Sequence, residues 1–324
     1  MNYTCASQSL DSFASFWKDL QHRLNWDSVF VLPRWLKVWW QTFGEGSQLY
    51  LFEVRENRNV IGVALLMVKE GKASFIGSAD VCDYMDFTVA PGKAPAFFTA
   101  ILDRLQKDGI KELSLESLRH DSTVMTCLVD LAKDKGYEVT VTRENVSLDL
   151  ELPSTWDDYL RTLSPKQRRE TGRRFRRLEE EGDINYRIVE DAEPEVLDIF
   201  FKLMRVSRKD KAAFLTPRME SFFRALAETM AEAGMLRFGV LEISKKPVAA
   251  VMCFDYNDKV YLYNSGYDPE YSYISVGLLS KLLSIKDSIE RGKKVYDFLK
   301  GPEEYKYRLG GREIPIYSCR IILT

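Results

Sequence analysis

One order of secondary-structure elements occurs twice along this 324-residue sequence, and this repeat constrains the fold more than any single motif. Residues 49–68 read as a hairpin of two apolar strands around a polar turn, and residues 236–254 read as the same hairpin. In each copy a third strand, an amphipathic helix and a glycine-led strand follow. Two unrelated α/β units could share this order by chance, but a complete order that occurs twice favours an internal duplication.

The repeat predicts two domains. Helical patterns precede each hairpin, at residues 10–24 and 33–43 in the first half and at residues 156–182 and 194–233 in the second. The length of the chain also suits two cores better than one. We therefore expect an α/β (α+β) protein of two tandem domains, residues 1–150 and 151–324, each with a mixed, mostly antiparallel sheet flanked by helices. The last strand, residues 315–323, has two possible partners: it completes the second sheet or crosses to the first.

The composition excludes several classes of protein. The formal net charge of −2 argues against a dedicated nucleic-acid binder, and the longest apolar run, residues 60–68, is about half of a membrane span. Five scattered cysteines without a CxxC spacing predict neither a metal site nor a disulfide framework. The first residues lack the basic start and apolar core of a signal peptide. We expect a cytoplasmic protein, either a monomer or a homodimer.

A basic helix is predicted between the two halves, at residues 164–182. Six arginines precede its three terminal glutamates, which is the reverse of the order that the helix macrodipole favours. Helical spacing places Arg169, Arg173 and Arg176 near one side, where they could bind phosphate. The alternative is a surface helix whose apolar side chains pack inward, and the residues alone do not decide between the two.

The candidate chemistry is carried by carboxylates, tyrosines and lysines, because the chain has only two histidines and no Walker or G-x-G-x-x-G loop. Asp297 stands between two aromatic residues of the last repeated strand. Apolar surroundings would raise its pKa and suit a general base, although it could instead accept backbone hydrogen bonds. Tyr305 and Lys306 follow in a loop, where they could return a proton and stabilise an oxyanion.

The first half has a polar loop in the corresponding place. Asp83, Tyr84 and Asp86 follow its third strand, as residues 266–268 do in the second half. The two loops would face one cleft if the halves pack accordingly.

Several of these motifs together resemble the FemAB-like branch of the GNAT acyltransferase superfamily, and in particular its CelD-like sequences. The resemblance spans nearly the whole chain, and its most specific block is residues 297–301 followed by 304–306. The other matching segments are residues 33–39, 83–86, 163–182, 266–268 and 275–277.

The resemblance implies two tandem GNAT-like domains and transfer of an acyl group from acyl-CoA, such as acetyl-CoA, to an amine. The donor's pyrophosphate would bind the helix N-terminus after the loop of residues 267–277. The usual GNAT phosphate signature is absent, and residues 272–277 stand in its place. The implied donor-binding residues are Tyr267, Ser275, Val276 and Gly277. The first half has no phosphate loop and is expected to shape the acceptor site. The candidate acceptor-binding residues are Trp39, Asp83, Tyr84, Asp86, Arg169, Arg173 and Arg208.

The leading functional hypothesis is therefore an N-acyltransferase that acts on an amino sugar or a cell-envelope or polysaccharide precursor. Asp297 would accept the proton of the amine, Tyr305 would protonate the leaving thiolate, and Lys306 would stabilise the oxyanion. A first alternative is a Fem-type peptidyltransferase that uses charged tRNA, although the long helical insertion that often accompanies tRNA binding is missing. A second alternative is a binding module without catalysis.

Overall fold

The computed structural model describes residues 3–7, 9–12 and 20–323, which form two compact units. The first unit contains the described residues of Met1–Val146 and of Ile314–Thr324, and the second unit is Ser147–Glu313. Within the described residues, no helix is both long enough and apolar enough to cross a membrane. Residues 13–19 of the helix expected at residues 10–24 lie outside the described part of the chain.

The hairpin, the third strand, the following helix and the glycine-led strand of the first repeat are present in the first unit. Its elements in chain order, up to the strand that leads into the second unit, are β1 (Tyr3–Ser7), α1 (Pro33–Phe43), β2 (Gln48–Glu56), β3 (Asn59–Lys69), β4 (Lys72–Phe75), β5 (Thr88–Val89), α2 (Ala94–Lys107), β6 (Glu112–Arg119), α3 (Val129–Asp134) and β7 (Glu138–Glu151). The polar turn between β2 and β3 reverses the chain as the sequence predicts, because Asn57 adopts the left-handed conformation at φ 59°.

The second unit repeats this order with longer helices. Its further elements are α4 (Trp156–Thr162), α5 (Pro165–Glu179), β8 (Ile184–Val189), α6 (Pro194–Ser207), α7 (Lys209–Phe214), α8 (Pro217–Ala231), β9 (Leu236–Ile243), β10 (Lys246–Tyr256), β11 (Lys259–Tyr267), α9 (Val276–Glu290), β12 (Val295–Lys300) and α10 (Glu304–Arg308). A short 3-10 segment, Pro269–Ile274, leads from β11 into α9, and a last strand, β13 (Arg312–Ile322), ends the described chain.

Each unit has a mixed, mostly antiparallel sheet, as the sequence predicts. The strand order is β1-β2-β3-β4-β6-β13 in the first unit, where β5 also pairs with β3, and β7-β12-β11-β10-β9-β8 in the second. One neighbouring pair in each is parallel, β4 with β6 and β11 with β12, and in both cases a helix lies between the two strands in sequence. This crossover is the reason why the pair is parallel.

The last strand belongs to the first unit, which corrects the expected boundary of the second domain at residue 324. In β13, Cys319 pairs with Leu115 and Ile321 with Leu113 of β6. All four side chains are buried. Because β13 completes the sheet of the first unit, the second unit ends at Glu313 rather than at the end of the chain.

The two parallel strands of the second unit separate soon after they pair. Only Lys259–Tyr261 of β11 pairs with β12, although β11 continues to Tyr267. On its other side, β12 shifts register against β7 between Asp297 and Lys300, and Leu299 there has a φ of 63°. This bulge turns β12 away from β11. It leaves space beside the end of β11, where α9 begins.

Apolar packing fixes the start of α9. Val276 and Leu279 are fully buried against Leu241 and Val248 of the sheet, and Ile274 joins the same cluster. The first turn of α9 is therefore anchored on its core-facing side, and its other side is available to the space beside β11.

Candidate active site

A cavity of about 380 Å³ lies in the second unit at the end of β11. Its volume falls within the range of about 300–1,000 Å³ that is typical of small-molecule sites. Five segments contribute to it: the junction of α6 and α7, the end of β11, the 3-10 segment Pro269–Ile274, the beginning of α9 and the beginning of α10. The lining residues are Ser207, Arg208, Lys211, Ser265, Tyr267, Ser272, Ser275, Gly277, Leu278, Lys281, Glu303 and Tyr305.

Among the cations that line this cavity, Lys281 has the most strongly lowered pKa. It lies one helical turn after Gly277 on α9 and is only 7% exposed. Its Nζ donates a hydrogen bond to the Gly277 carbonyl at 2.8 Å and lies 4.9 Å from the ring centre of Tyr305. Burial, together with the charge of Lys211, lowers the pKa of Lys281 to about 7. A substantial fraction of this amine is therefore neutral at neutral pH, and it can accept a proton.

Lys211 is a second, half-buried cation in the same cavity. Its Nζ donates a hydrogen bond to the side-chain oxygen of Asn264 at 2.9 Å and another to the Ser265 carbonyl. Burial and the neighbouring Arg208 lower the pKa of Lys211 to about 8. The guanidinium of Arg208 is itself held by the two carboxylate oxygens of Asp210, at 2.9 and 2.7 Å.

Tyr305 supplies the phenol of the cavity. Its ring meets Phe298 edge-on at 6.3 Å and carries the Lys281 ammonium on its face. Burial, with a contribution from the Glu303 carboxylate, raises the pKa of Tyr305 well above its usual range. The hydroxyl therefore stays protonated, and it can donate its proton to a group that becomes strongly basic.

The beginning of α9 presents backbone N–H groups at the cavity. The first intrahelical hydrogen bond runs from the Leu278 N–H to the Ser275 carbonyl, at 2.9 Å. The N–H groups of Val276 and Gly277 precede it and are donors for an anion at a helix N-terminus. Since the Val276 side chain is buried in the core, this residue can contribute only through its backbone. Ser275 turns the chain into the helix in the left-handed conformation, at φ 66° and ψ 42°.

Position 277 requires a glycine because the ring of Tyr267 lies close to it, and not because of the backbone conformation. A Cβ at this position would lie 2.8 Å from Cδ1 of the Tyr267 ring. The ring and the glycine therefore together form a close-fitting wall beside the helix N-terminus.

We predict that Gly277→Ala lowers the free energy of unfolding by about 1–3 kcal/mol, because the added methyl group displaces the Tyr267 ring. Chemical denaturation followed by circular dichroism measures this change. Gly172→Ala is the matched control: this helical glycine in α5 has only the tip of Arg176 near its Cβ position, at 3.7 Å. The control is expected to be neutral or stabilising by up to about 1 kcal/mol. An equal effect of the two substitutions would contradict the close packing at Gly277.

Asp297 does not line this cavity, which corrects its expected role as the proton acceptor. The residue is fully buried, and its Oδ1 accepts a hydrogen bond from the backbone N–H of Leu299 at 2.8 Å. Leu299 is the residue in the left-handed conformation at the bulge of β12. Asp297 therefore holds the bulge, which is the backbone-binding alternative noted from the sequence.

Lys306 also serves this turn rather than an oxyanion. Its Nζ is only 2% exposed and donates to the carbonyls of Leu299, Lys300 and Gly301 at 2.9, 2.6 and 3.0 Å. It also pairs with Glu303 at 2.8 Å. An ammonium has three donors. The three carbonyls engage all of them, so none remains for a reacting oxygen.

The acceptor-binding candidates of the first unit have structural contacts. Trp39 is buried and donates from Nε1 to the Ser78 hydroxyl at 3.3 Å. The ring of the buried Tyr84 lies 5.2 Å from the Arg119 guanidinium, and Asp83 is half-buried. A cavity of about 250 Å³ in this unit is lined by Ser78 but by none of the predicted residues Trp39, Asp83, Tyr84 and Asp86.

Asp86 fixes the start of the helical segment that contains α3. Its carboxylate accepts hydrogen bonds from the N–H and hydroxyl groups of Thr123, at 2.6 and 2.7 Å, and from the N–H of Phe87 at 2.8 Å. Burial raises the pKa of Asp86 to about 6, against the opposing effect of these hydrogen bonds. The carboxylate thus acts as a helix cap.

The predicted arginine face of α5 does not reach the cavity. Arg169 and Arg173 are exposed, and Arg173 forms an ion pair with Glu170 at 3.3 Å. A different face of α5, with Lys166 and Arg174, lines a separate cavity of about 430 Å³. Among the arginines predicted for the acceptor, Arg208 alone lies on the wall of the candidate active site.

Some of the residues predicted from the sequence line this cavity, and two lysines that the sequence did not indicate, Lys211 and Lys281, line it as well. The structure brings together Arg208, Tyr267, Ser275, Gly277 and Tyr305 of the predicted set, with the backbone of Val276 beside them. One signal could have indicated Lys281: it follows Gly277 by four residues and so shares its side of the helix.

The comparisons with known proteins agree with this architecture. Residues 165–307 match the family described as "Acetyltransferase (GNAT) domain". The solved structure of FemX is similar with a TM-score of 0.65 and 11% identity, over 97% of this chain and 96% of that chain. The structure of a conserved protein of unknown function from Bacteroides thetaiotaomicron is similar with a TM-score of 0.62 and 12% identity, over 99% of this chain and 100% of that chain. A tandem GNAT protein from the clavulanic acid biosynthesis pathway is similar with a TM-score of 0.52 and 12% identity, over 98% of each chain.

Comparison with curated protein sequences gives no match. The identities to the solved structures establish the fold alone. This chain shares its fold with FemX and with the tandem GNAT protein, in agreement with the resemblance found in the sequence.

Proposed function

We propose that this tandem GNAT protein is an N-acyltransferase that moves an acyl group from acyl-CoA to an amine in the cavity of the second unit. The observation that carries the proposal is the arrangement of Lys281 and Tyr305. A partly neutral amine rests on the ring of a protonated phenol, beside the N-terminus of a 15-residue helix. The segment that matches the acetyltransferase family, residues 165–307, contains every residue of this cavity.

The beginning of α9 suits the donor's pyrophosphate. The N–H groups of Val276 and Gly277 supply donors, the positive end of the helix dipole favours the negative charge, and the Ser272 and Ser275 side chains line the same wall. The absence of a side chain at Gly277 lets a phosphate approach the backbone closely. These features replace the missing GNAT phosphate signature.

The reaction needs one proton acceptor and one proton donor. The acceptor amine attacks the thioester carbonyl carbon, a C–N bond forms and the C–S bond breaks. Neutral Lys281 takes the proton that the nitrogen loses. Tyr305 gives its proton to the leaving thiolate, and the Lys281 ammonium returns a proton to the phenolate by way of water. The products are an amide and the free thiol of CoA, with both residues restored.

The proposal is tested by measuring free thiol released from acetyl-CoA in the presence of amino sugars and other cell-envelope amines. We predict that Tyr305→Phe lowers kcat by about 10²–10⁴, the usual contribution of a positioned acid or base, and leaves acetyl-CoA affinity unchanged. Tyr307→Phe is the matched control, because Tyr307 is directed to Glu313 and does not line the cavity. Absence of amine-dependent thiol release with the wild-type protein would refute the acyl-CoA reaction.

A Fem-type aminoacyl transfer is the second candidate. The similarity to FemX and the exposed Arg169 and Arg173 on α5 favour it, since such a face can bind the phosphates of a charged tRNA. Filter binding with charged tRNA, compared between the wild-type protein and the Arg169→Gln/Arg173→Gln variant, separates it from the leading proposal. Salt-sensitive binding that the variant loses would favour the tRNA donor.

A further inference from the structure

Two ammonium groups in the cavity of the second unit have neutral hydrogen-bond partners. Lys211 donates to an amide oxygen and a backbone carbonyl, and Lys281 donates to a backbone carbonyl. Across residues 3–7, 9–12 and 20–323, neither lysine forms an ion pair with a carboxylate. Lys281 is buried and Lys211 is half-buried, and a charge withdrawn from water onto neutral partners is costly; an anion that enters the cavity reduces this cost.

The acidic groups near the cavity are engaged elsewhere. Glu303 lines the wall but binds the Lys306 ammonium at 2.8 Å, and Asp210 holds Arg208. The wall therefore carries two lysines, Lys211 and the partly neutral Lys281, besides the paired Arg208, and its one carboxylate, Glu303, already has a partner. This excess of positive charge matches a negatively charged group on the molecule that fills the cavity.

We propose that one substrate of the transfer reaction carries a carboxylate, and that Lys211 binds it. This inference rests on the proposed function and specifies its substrate class. The donor's phosphates are assigned to the N–H groups of α9, whereas Lys211 comes from α7 and is held by the end of β11. Burial and the Arg208 charge lower the pKa of Lys211, and the carboxylates of Asp210 and Glu303 offset this effect only in part.

The carboxylate has two possible sources. It belongs either to the acyl group of a dicarboxylic acyl-CoA or to an amino acid that serves as the acceptor amine.

Succinate and its neutral isostere succinamide are suitable probes, and titration calorimetry in the presence of saturating CoA measures their binding. The wild-type protein is expected to bind succinate at least tenfold more tightly than succinamide, and Lys211→Gln is expected to abolish this preference. Lys209→Gln is the matched control, because Lys209 is an exposed lysine of the same helix. Equal affinity for the two probes, or displacement of succinate by CoA, would overturn the proposal.

Transfer rates identify the source of the carboxylate. A preference for succinyl-CoA over acetyl-CoA that Lys211→Gln abolishes places the carboxylate on the acyl group. A preference for amino acids over their methyl esters that the same variant abolishes places it on the acceptor. If acetyl transfer proceeds without either preference, the carboxylate proposal fails and the acyltransferase proposal stands. If succinate binds through Lys211 but no acyl-CoA reacts, the carboxylate site at Lys211 stands and the acyltransferase proposal fails.

Discussion

Replacing Lys281 with methionine is expected to slow acyl transfer by a factor of about 10²–10⁴ without unfolding the protein. The substitution removes the proton acceptor next to Tyr305, and methionine fills much the same volume as the lysine stem. Steady-state rates with acetyl-CoA measure the loss. Lys286→Met is the matched control: the side chain of this lysine on the same helix is 43% exposed, and its ion pair with Glu290 is long, at 3.9 Å.

The pH dependence distinguishes a proton acceptor from a merely structural lysine. Because the neutral amine is the active form and the pKa of Lys281 is about 7, the wild-type kcat should rise as the pH increases through about 7 and then level off. The residual activity of Lys281→Met should lack this rise. A variant that keeps both the rate and the pH profile would exclude Lys281 as the acceptor.

Stability should change with pH in a related way. Between the folded pKa of about 7 and the usual value near 10.5, the unfolded chain binds a proton at Lys281 that the folded protein does not bind. The contribution of this residue to the free energy of unfolding therefore increases with pH across that window. Denaturation of the wild-type protein and the Lys281→Met variant over this range should show the difference.

The second large effect is expected for Lys306→Met, which should lower the free energy of unfolding by about 3–5 kcal/mol. The variant leaves the buried carbonyl of Leu299 and the part-buried carbonyls of Lys300 and Gly301 without their shared donor. It also leaves Glu303 without its cation. For a unit of this size the melting temperature should fall by about 2–4 °C for each kcal/mol. Calorimetry and chemical denaturation measure both quantities.

The same variant tests the role that the sequence suggested for Lys306. The exposed Lys286→Met should change stability by less than about 0.5 kcal/mol, which sets the scale for the loss of a surface charge. If Lys306→Met keeps wild-type stability but loses transfer activity, the lysine acts on the reacting oxygen and not on the turn.

The fold was accessible from the sequence because its repeated unit has strong periodicity. The alternating strands of the two hairpins and the polar residues at their turns predict β2 with β3 and β9 with β10, and the structure has these pairs. The strand that pairs with β13 could not be predicted in this way. Its apolar pattern suits either sheet, and only long-range packing against β6 decides between them.

The roles of the candidate site residues were harder to predict from the sequence, because the direction of a side chain depends on local backbone geometry. The bulge of β12 turns the Asp297 carboxylate toward the Leu299 N–H, and the tight turn that follows brings three carbonyls around Lys306. Neither feature has a sequence signature. The lowered pKa of Lys281 likewise arises from burial beside Lys211, a residue 70 positions earlier in the sequence.

The return of β13 to the first unit also determines the order in which the protein can fold during synthesis. The second unit is inserted in the sequence of the first, so the sheet of the first unit still lacks a strand when Ser147–Glu313 has emerged from the ribosome. Domains usually fold as units, with the N-terminal one first. In this chain, the unit that begins first is the one completed last, and until then the edge of β6 that β13 will cover is open to incorrect strand pairing.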